Sequence, residues 1–338
     1  MRRLFIATLL IAPLVLGGCR KPNVMESAAE APKVMKASTT LASLPDYQPE
    51  SPAPLSGSLN LVGSDSMDPL VQLWAEDFRS RYPGVDFSIT SKGSATAPTA
   101  MIEGRSLLGH MSREMNADEL GRFQARFGYA PTRIVVAVDA IAIYVNANNP
   151  IRQLSLEQLD AIFSSTRKAG FTKPLETWGD LGLEGIWKTR AIQPYGRDEN
   201  SGTRAFFREH VMKKGSFKPE VKALADQFAV VEAAAVDGAG ISYGPVQHSV
   251  RMVRSVPIVD FGATEAMSAT TENILGGRYP MTRFLYLYVN KAPGRPMDPL
   301  VREFLRSILS RQGQTNVANF GAIPLPADLL TQNLDKLK

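Results

Sequence analysis

Two strand-like runs constrain this chain more than any other feature. Ile134 to Val145 is apolar apart from Asp139 and rich in β-branched residues, and Arg283 to Val289, strand-like as well, is apolar and aromatic after its Arg. Continuous apolar runs of this kind belong inside a sheet that is covered on both faces. If the two strands lie side by side, the chain can enter and leave an inserted lobe through them. That arrangement predicts one lobe from residues 57–140 with 281–338 and a second from residues 141–280. At 338 residues the chain is long enough for two cores.

Short strands alternate with helical periods from Ser58 onward. Leu59 to Val62 reads as a strand. Pro69 to Tyr82 reads as a helix, with Leu70, Leu73, Trp74 and Phe78 on one face and Asp77 as the exception. Val85 to Thr90 is a second strand, and Pro98 to Glu103 a short helix closed by Gly104. Such βαβα order favours a largely parallel sheet covered by helices. Further helices are expected near 155–163, 202–213 and 299–311. A Gly-rich stretch at 238–244 and a strand at Val256 to Val259 lie between the two long strands.

The N-terminus sets the compartment. Arg2 and Arg3 precede an uncharged run from Leu4 to Gly18 that is too short for a permanent membrane span. Residues 1–18 therefore read as a signal peptide. The run ends in Leu16-Gly17-Gly18-Cys19, which resembles a bacterial lipobox with Cys19 as the lipidated residue. Cys19 is the only cysteine, so disulfides and Cys-based metal or nucleophilic sites are excluded from the mature domain. Residues 19–56 carry six prolines, no Gly and Tyr47 as their one aromatic, which predicts a disordered tether. The expected location is the periplasm or cell surface, lipid-anchored to a bacterial membrane. Removing Arg2 and Arg3 lowers the net charge from +5 to +3. That surplus is dispersed, so nucleic acid is not an expected partner.

Four polar turns adjoin probable helices or strands: Gly63 to Met67, Gly93 to Thr96, His110 to Arg113, and Gly196 to Arg204. A helix N-terminus offers unpaired N–H groups and partial positive charge, Gly allows close approach, and Ser or Thr adds a neutral donor. Arg197 could add a planar fork suited to an oxyanion. Any one of these turns taken alone reads more readily as an ordinary N-cap. Four together, with an Arg, favour a shared anion site.

These segments carry a resemblance. Gly63-Ser64-Asp65-Ser66-Met67-Asp68-Pro69-Leu70, Lys92-Gly93-Ser94 and Met111-Ser112-Arg113 resemble the opening of periplasmic phosphate-binding proteins of ABC transporters. Leu154 to Leu159, Gly196 to Arg204 and Gly238 to Tyr243 continue the likeness in the same order, over roughly residues 58 to 325. The resemblance implies an α/β, two-lobed type II periplasmic-binding-protein fold with a hinge of two crossover strands. It implies hydroxyls from Ser66, Ser94, Ser112, Ser201 and Thr203, backbone amides of Met67 and Gly202, and the charge of Arg197 around a phosphate ion. Ser112 stands where many members carry an Asp, which leaves rejection of sulfate open. Asp198 or Glu199 is expected to orient Arg197. The implied partner is an ABC transporter permease, and a monomer is expected, with no cofactor.

Other readings compete. Ser165-Thr166-Arg167-Lys168 matches S-x-x-K but has no S-D-N or K-T-G partner. His110, His210 and His248 lack a metal-binding spacing, although His110 could line a cleft. A hydrolase is therefore disfavoured. A phosphate sensor, an accessory surface lipoprotein, and a binder of another tetrahedral oxyanion remain alternatives on the same fold.

Overall fold

The computed structural model describes residues 41–50 and 54–338. The predicted signal peptide, Cys19 and residues 20–40 of the predicted tether lie outside the described residues. In chain order, the first half runs β1 (Ser56–Gly63), α1 (Asp68–Arg81), β2 (Gly84–Ser91), α2 (Thr96–Ile102), β3 (Leu108–Met111), α3 (Ala117–Phe127) and β4 (Thr132–Asn146). The middle runs β5 (Leu154–Ser155), α4 (Leu156–Phe163), β6 (Gln193–Arg197), α5 (Gly202–His210), β7 (Lys222–Leu224), α6 (Gln227–Val236), β8 (Gly240–Pro245), β9 (Val253–Val256), β10 (Ile258–Val259), β11 (Ala266–Met267) and α7 (Thr271–Leu275). The chain returns through β12 (Thr282–Val289) to α8 (Pro299–Ile308), α9 (Arg311–Phe320) and α10 (Ala327–Asp335).

The strand order is β2-β1-β3-β12-β4-β8-β6-β7, with β9 also on β4. At one end β1 is parallel to β2 and β3, and at the other β6 is parallel to β7 and β8. Between them β4 and β12 run antiparallel. Residues 132–140 of β4 pair with β12, whereas residues 141–146 pair with β8 and β9. The strand thus passes from one half of the molecule into the other, as the two apolar runs predict. Every residue from Ile134 to Asn146 is buried, which is why the run shows no polar alternation. A small separate sheet, β11-β10-β5, borders the middle half. Among the described residues no helix is long and apolar enough to cross a membrane.

Some expected boundaries differ. The predicted helix 299–311 is two helices, because Ser310 accepts from the Gly313 N–H at 3.3 Å and caps a new one. The run Val256 to Val259 breaks into β9 and β10 at Pro257, which has no N–H to give to a ladder. The helix expected over 202–213 ends at His210.

The tether expectation needs correction over its last part. Residues 41–50 are folded against the domain, and β1 already begins at Ser56. Leu44 and Tyr47 are buried in the core cluster of the domain. The Tyr47 hydroxyl lies 2.7 Å from that of Tyr82 and donates to Glu303 at 2.5 Å. Asp46 pairs with Arg311, and Glu50 with Arg302 and Arg306. Mean composition over 19–56 concealed this, since the complementary arginines lie on α8 and α9, far along the sequence. Tyr47→Ala should lower the unfolding free energy by about 3 kcal/mol, the usual scale for emptying a buried aromatic site. Urea denaturation measures it, and a change below ~0.5 kcal/mol would contradict docking of the strap, being within the range of ordinary surface substitutions.

Candidate anion-binding site

The carboxyl ends of parallel strands place the site. Ser64, Ser66 and Met67 follow β1, Gly93 and Ser94 follow β2, and Ser112 follows β3. From the other half, residues 198–201 link β6 to the N-terminus of α5. Loops leaving parallel strands at their carboxyl ends converge on one crevice, and here two such sets face each other. Gly93 makes the close approach possible. Its φ is +103°, and a Cβ there would lie 2.4 Å from the Asn200 carbonyl oxygen. The Ala95 N–H donates to that same oxygen at 3.2 Å.

Four serine hydroxyls meet in a buried cluster. Ser112 Oγ lies 3.0 Å from Ser64 Oγ, 3.3 Å from Ser66 Oγ and 3.2 Å from Ser94 Oγ, and Ser64 and Ser66 are 3.0 Å apart. The Ser112 N–H also donates to Ser94 Oγ at 3.1 Å. The Ser64 N–H is anchored on the His110 carbonyl at 2.8 Å. Gly202, the first residue of α5, packs directly against this cluster. A Cβ on it would lie 2.2 Å from Ser94 Oγ and 2.5 Å from Ser112 Oγ. Ser201 Oγ accepts from the Arg204 N–H at 3.3 Å as the cap of α5, which leaves its own proton free to donate. Hydroxyls and helix-terminal N–H groups at such spacing can surround an oxyanion without adding net charge.

Arg197 is 1% exposed, and its charge is matched within the protein. Nη2 lies 2.6 Å from Asp65 Oδ2 and donates to the Ala225 carbonyl at 2.8 Å. Nη1 donates to Gln227 Oε1 at 2.9 Å, and Nε to the Leu224 carbonyl at 3.2 Å. Three of the five N–H groups donate to protein acceptors and Nη2 is also ion-paired with Asp65, so Arg197 does not present the open fork expected from sequence. The orienting carboxylate is also different from the expected Asp198 or Glu199. It is Asp65, which belongs to the opposite set of loops, so the ion pair spans the crevice. Burial raises the Asp65 pKa against the lowering pull of Arg197.

The structure brings Ser66, Ser94, Ser112, Arg197, Ser201, Gly202 and Thr203 to one place, all buried. Met67 is there as well, but its N–H donates to the Ser64 carbonyl at 3.2 Å and its side chain is core. Sequence reasoning missed Ser64, Asp65 and Gln227 as partners. The first two lay inside a turn already singled out, while Gln227 carried no local signal. His110 is fully buried, its Nε2 is 3.1 Å from Ser91 Oγ, and burial pushes its pKa down to about 3. His210 and His248 stack on Phe206 and Phe228. Arg113 grips Glu119 through both carboxylate oxygens, which supports the capping box of α3. Among the described residues no three His, Cys, Asp or Glu side chains are grouped to hold a metal. A cavity of about 200 Å³ against Leu107, Tyr129, Lys291 and Arg295 lies apart from all these residues.

Residues 48–312 match the PBP superfamily domain. Over 294 residues the chain is 42% identical to the phosphate-binding protein PstS of Pseudomonas aeruginosa, covering 87% of this chain and 90% of that one. The chain belongs to the PstS family. A more distant PstS relative, from Staphylococcus saprophyticus, is 25% identical over 83% of this chain and 84% of its own. The fold agrees with that of a phosphate ABC transporter substrate-binding protein from Clostridium perfringens, at TM-score 0.65 and 24% identity, over 80% of this chain and all of the other. An ABC-type phosphate transport receptor from Vibrio cholerae gives TM-score 0.63 at 18% identity, over 79% of this chain and all of the other. The two-lobed α/β architecture is that of the family. In this PstS-family chain Gly202→Ala should keep the fold yet hold the two sets of loops apart. Rotating Ser94 Oγ away does not relieve the clash, because the added methyl would still lie 2.9 Å from Ser94 Cβ. Small-angle scattering should show a larger radius of gyration than the parent at equal ligand, and an identical profile would contradict the packing.

Proposed function

We propose that this chain captures inorganic phosphate between its two lobes and delivers it to the permease of an ABC transporter. The observation that carries the reading is the buried hydroxyl cluster of Ser64, Ser66, Ser94 and Ser112, set against the N-terminus of α5 with Arg197 beside it. Residues 57–140 with 281–338 form one lobe, and residues 141–280 the other. Ser66, Ser94, Ser112, Ser201 and Thr203 supply hydroxyls, Gly202 supplies an amide, Met67 adds its amide by giving up its bond to the Ser64 carbonyl, and Arg197 supplies charge. Ser64 joins them. Because each half contributes only part of the ligand shell, hinge closure accompanies binding. Ser112 can donate to a bare oxygen or accept from a protonated one, which suits hydrogen phosphate.

Lipidation at Cys19 keeps this monomeric receptor on the bacterial membrane, at the periplasmic or cell-surface side. Cys19→Ser should move the protein into the soluble fraction with its phosphate affinity intact, and persistent membrane association would remove the anchor.

The binding reading is tested by isothermal titration with phosphate. Arg197→Ala takes one partner from a desolvated charge pair, so phosphate affinity should fall by at least about 30-fold. Parent-like affinity in this variant would overturn the site.

A further inference from the structure

Arg283 and Asp139 stand opposite each other on β12 and β4, at the point where those strands cross from one half of the molecule into the other. Both side chains are almost wholly buried. Arg283 Nε and Nη2 lie 2.8 and 2.7 Å from the same oxygen, Asp139 Oδ2. Neutralising Asp139 requires no more than that. The remaining terminal nitrogen, Nη1, reaches out of the sheet and donates to Thr203 Oγ1 at 3.1 Å, in the first turn of α5. Thr203 is fully buried and follows Gly202, which packs on the serine cluster.

We propose that Arg283, held by Asp139, is a positioning residue of the anion site, fixing the Thr203 hydroxyl as a donor to the bound anion. The proposal rests on the phosphate reading and deepens it. A guanidinium has donors and no acceptor, so Thr203 Oγ1 must accept from Arg283 and send its own proton elsewhere. Its other hydrogen-bond neighbour among the described residues is Gln227 Oε1 at 3.5 Å. At 3.5 Å that contact is at the long limit of a hydrogen bond, so it holds the Thr203 proton only weakly. An anion oxygen at the N-terminus of α5 is the acceptor that completes the arrangement. A buried ion pair adds little stability over apolar residues of the same size, so stability gives a weak reason for placing one here. Its third contact gives a stronger one. Arg283 places a second full positive charge one hydroxyl away from the ligand and ties the crossover strands to the helix that receives it.

The test is a double-mutant cycle on the full chain, read by isothermal titration with inorganic phosphate. Arg283→Gln and Thr203→Val should each weaken binding by about 10-fold or more, the scale of a hydrogen bond to a charged group. Combined, they should cost no more than about twofold beyond Thr203→Val alone, because coupled contacts are not additive. Arg283→Gln leaves Asp139 unpaired, so Asp139→Asn with Arg283→Gln, which replaces the ion pair by two amides, should show the same loss in a folded protein. Parent-like affinity in either Arg283 variant, or losses that multiply in the cycle, would overturn the positioning role while leaving the phosphate reading intact. A parent that binds no phosphate would overturn both.

Discussion

The antiparallel pairing of β4 with β12 is the constraint on which the other parts depend. One strand carries the chain out of the first half, and the other brings it back, so the two parallel strand sets are held edge to edge in one sheet. Because each set sends its loops from the carboxyl ends of its strands, the crossover fixes which turns can face each other. The serine turns after β1, β2 and β3 then oppose the N-terminus of α5. The burial of every residue from Ile134 to Asn146 makes a register slip costly, since a shift of one residue would reverse all side chains of the strand.

Within that frame the electrostatics are economical. A buried guanidinium is tolerable only when its charge is paired and its N–H groups are met. Asp65 pairs the charge of Arg197 while Gln227 and the carbonyls of Leu224 and Ala225 accept its N–H groups, and Asp139 pairs the charge of Arg283, whose Nη1 donates to Thr203. Neutral hydroxyls and amide N–H groups provide the rest of the surroundings. Such groups cost little to bury when they bond to one another, as the four serines do, and each can exchange that bond for one to an anion oxygen.

Legibility in the sequence follows the range of the interaction. The crossover strands show as continuous apolar runs, and the turns show because Gly with Ser or Thr before a helix is a local pattern. Most of the residues assembled at the crevice could therefore be named in advance. Asp65, Gln227 and the pairing of Arg283 with Asp139 could not, because each depends on a partner brought close only by tertiary structure. The strap at residues 41–50 escaped for the same reason: its proline-rich composition argues for disorder, while the arginines that hold Asp46 and Glu50 lie more than 250 residues away. The break at Ser310 escaped because a capping serine inside an amphipathic run resembles any other polar position.

Crystals grown with arsenate test the central claim most directly, since arsenic is a tetrahedral oxyanion centre with its own anomalous signal. A single arsenic peak is expected between Ser94, Ser112 and the first turn of α5, with the hydroxyls of Ser66, Ser201 and Thr203 within hydrogen-bonding reach. A peak at any other position, or an arsenic-free crevice in crystals of protein saturated with arsenate, would contradict it.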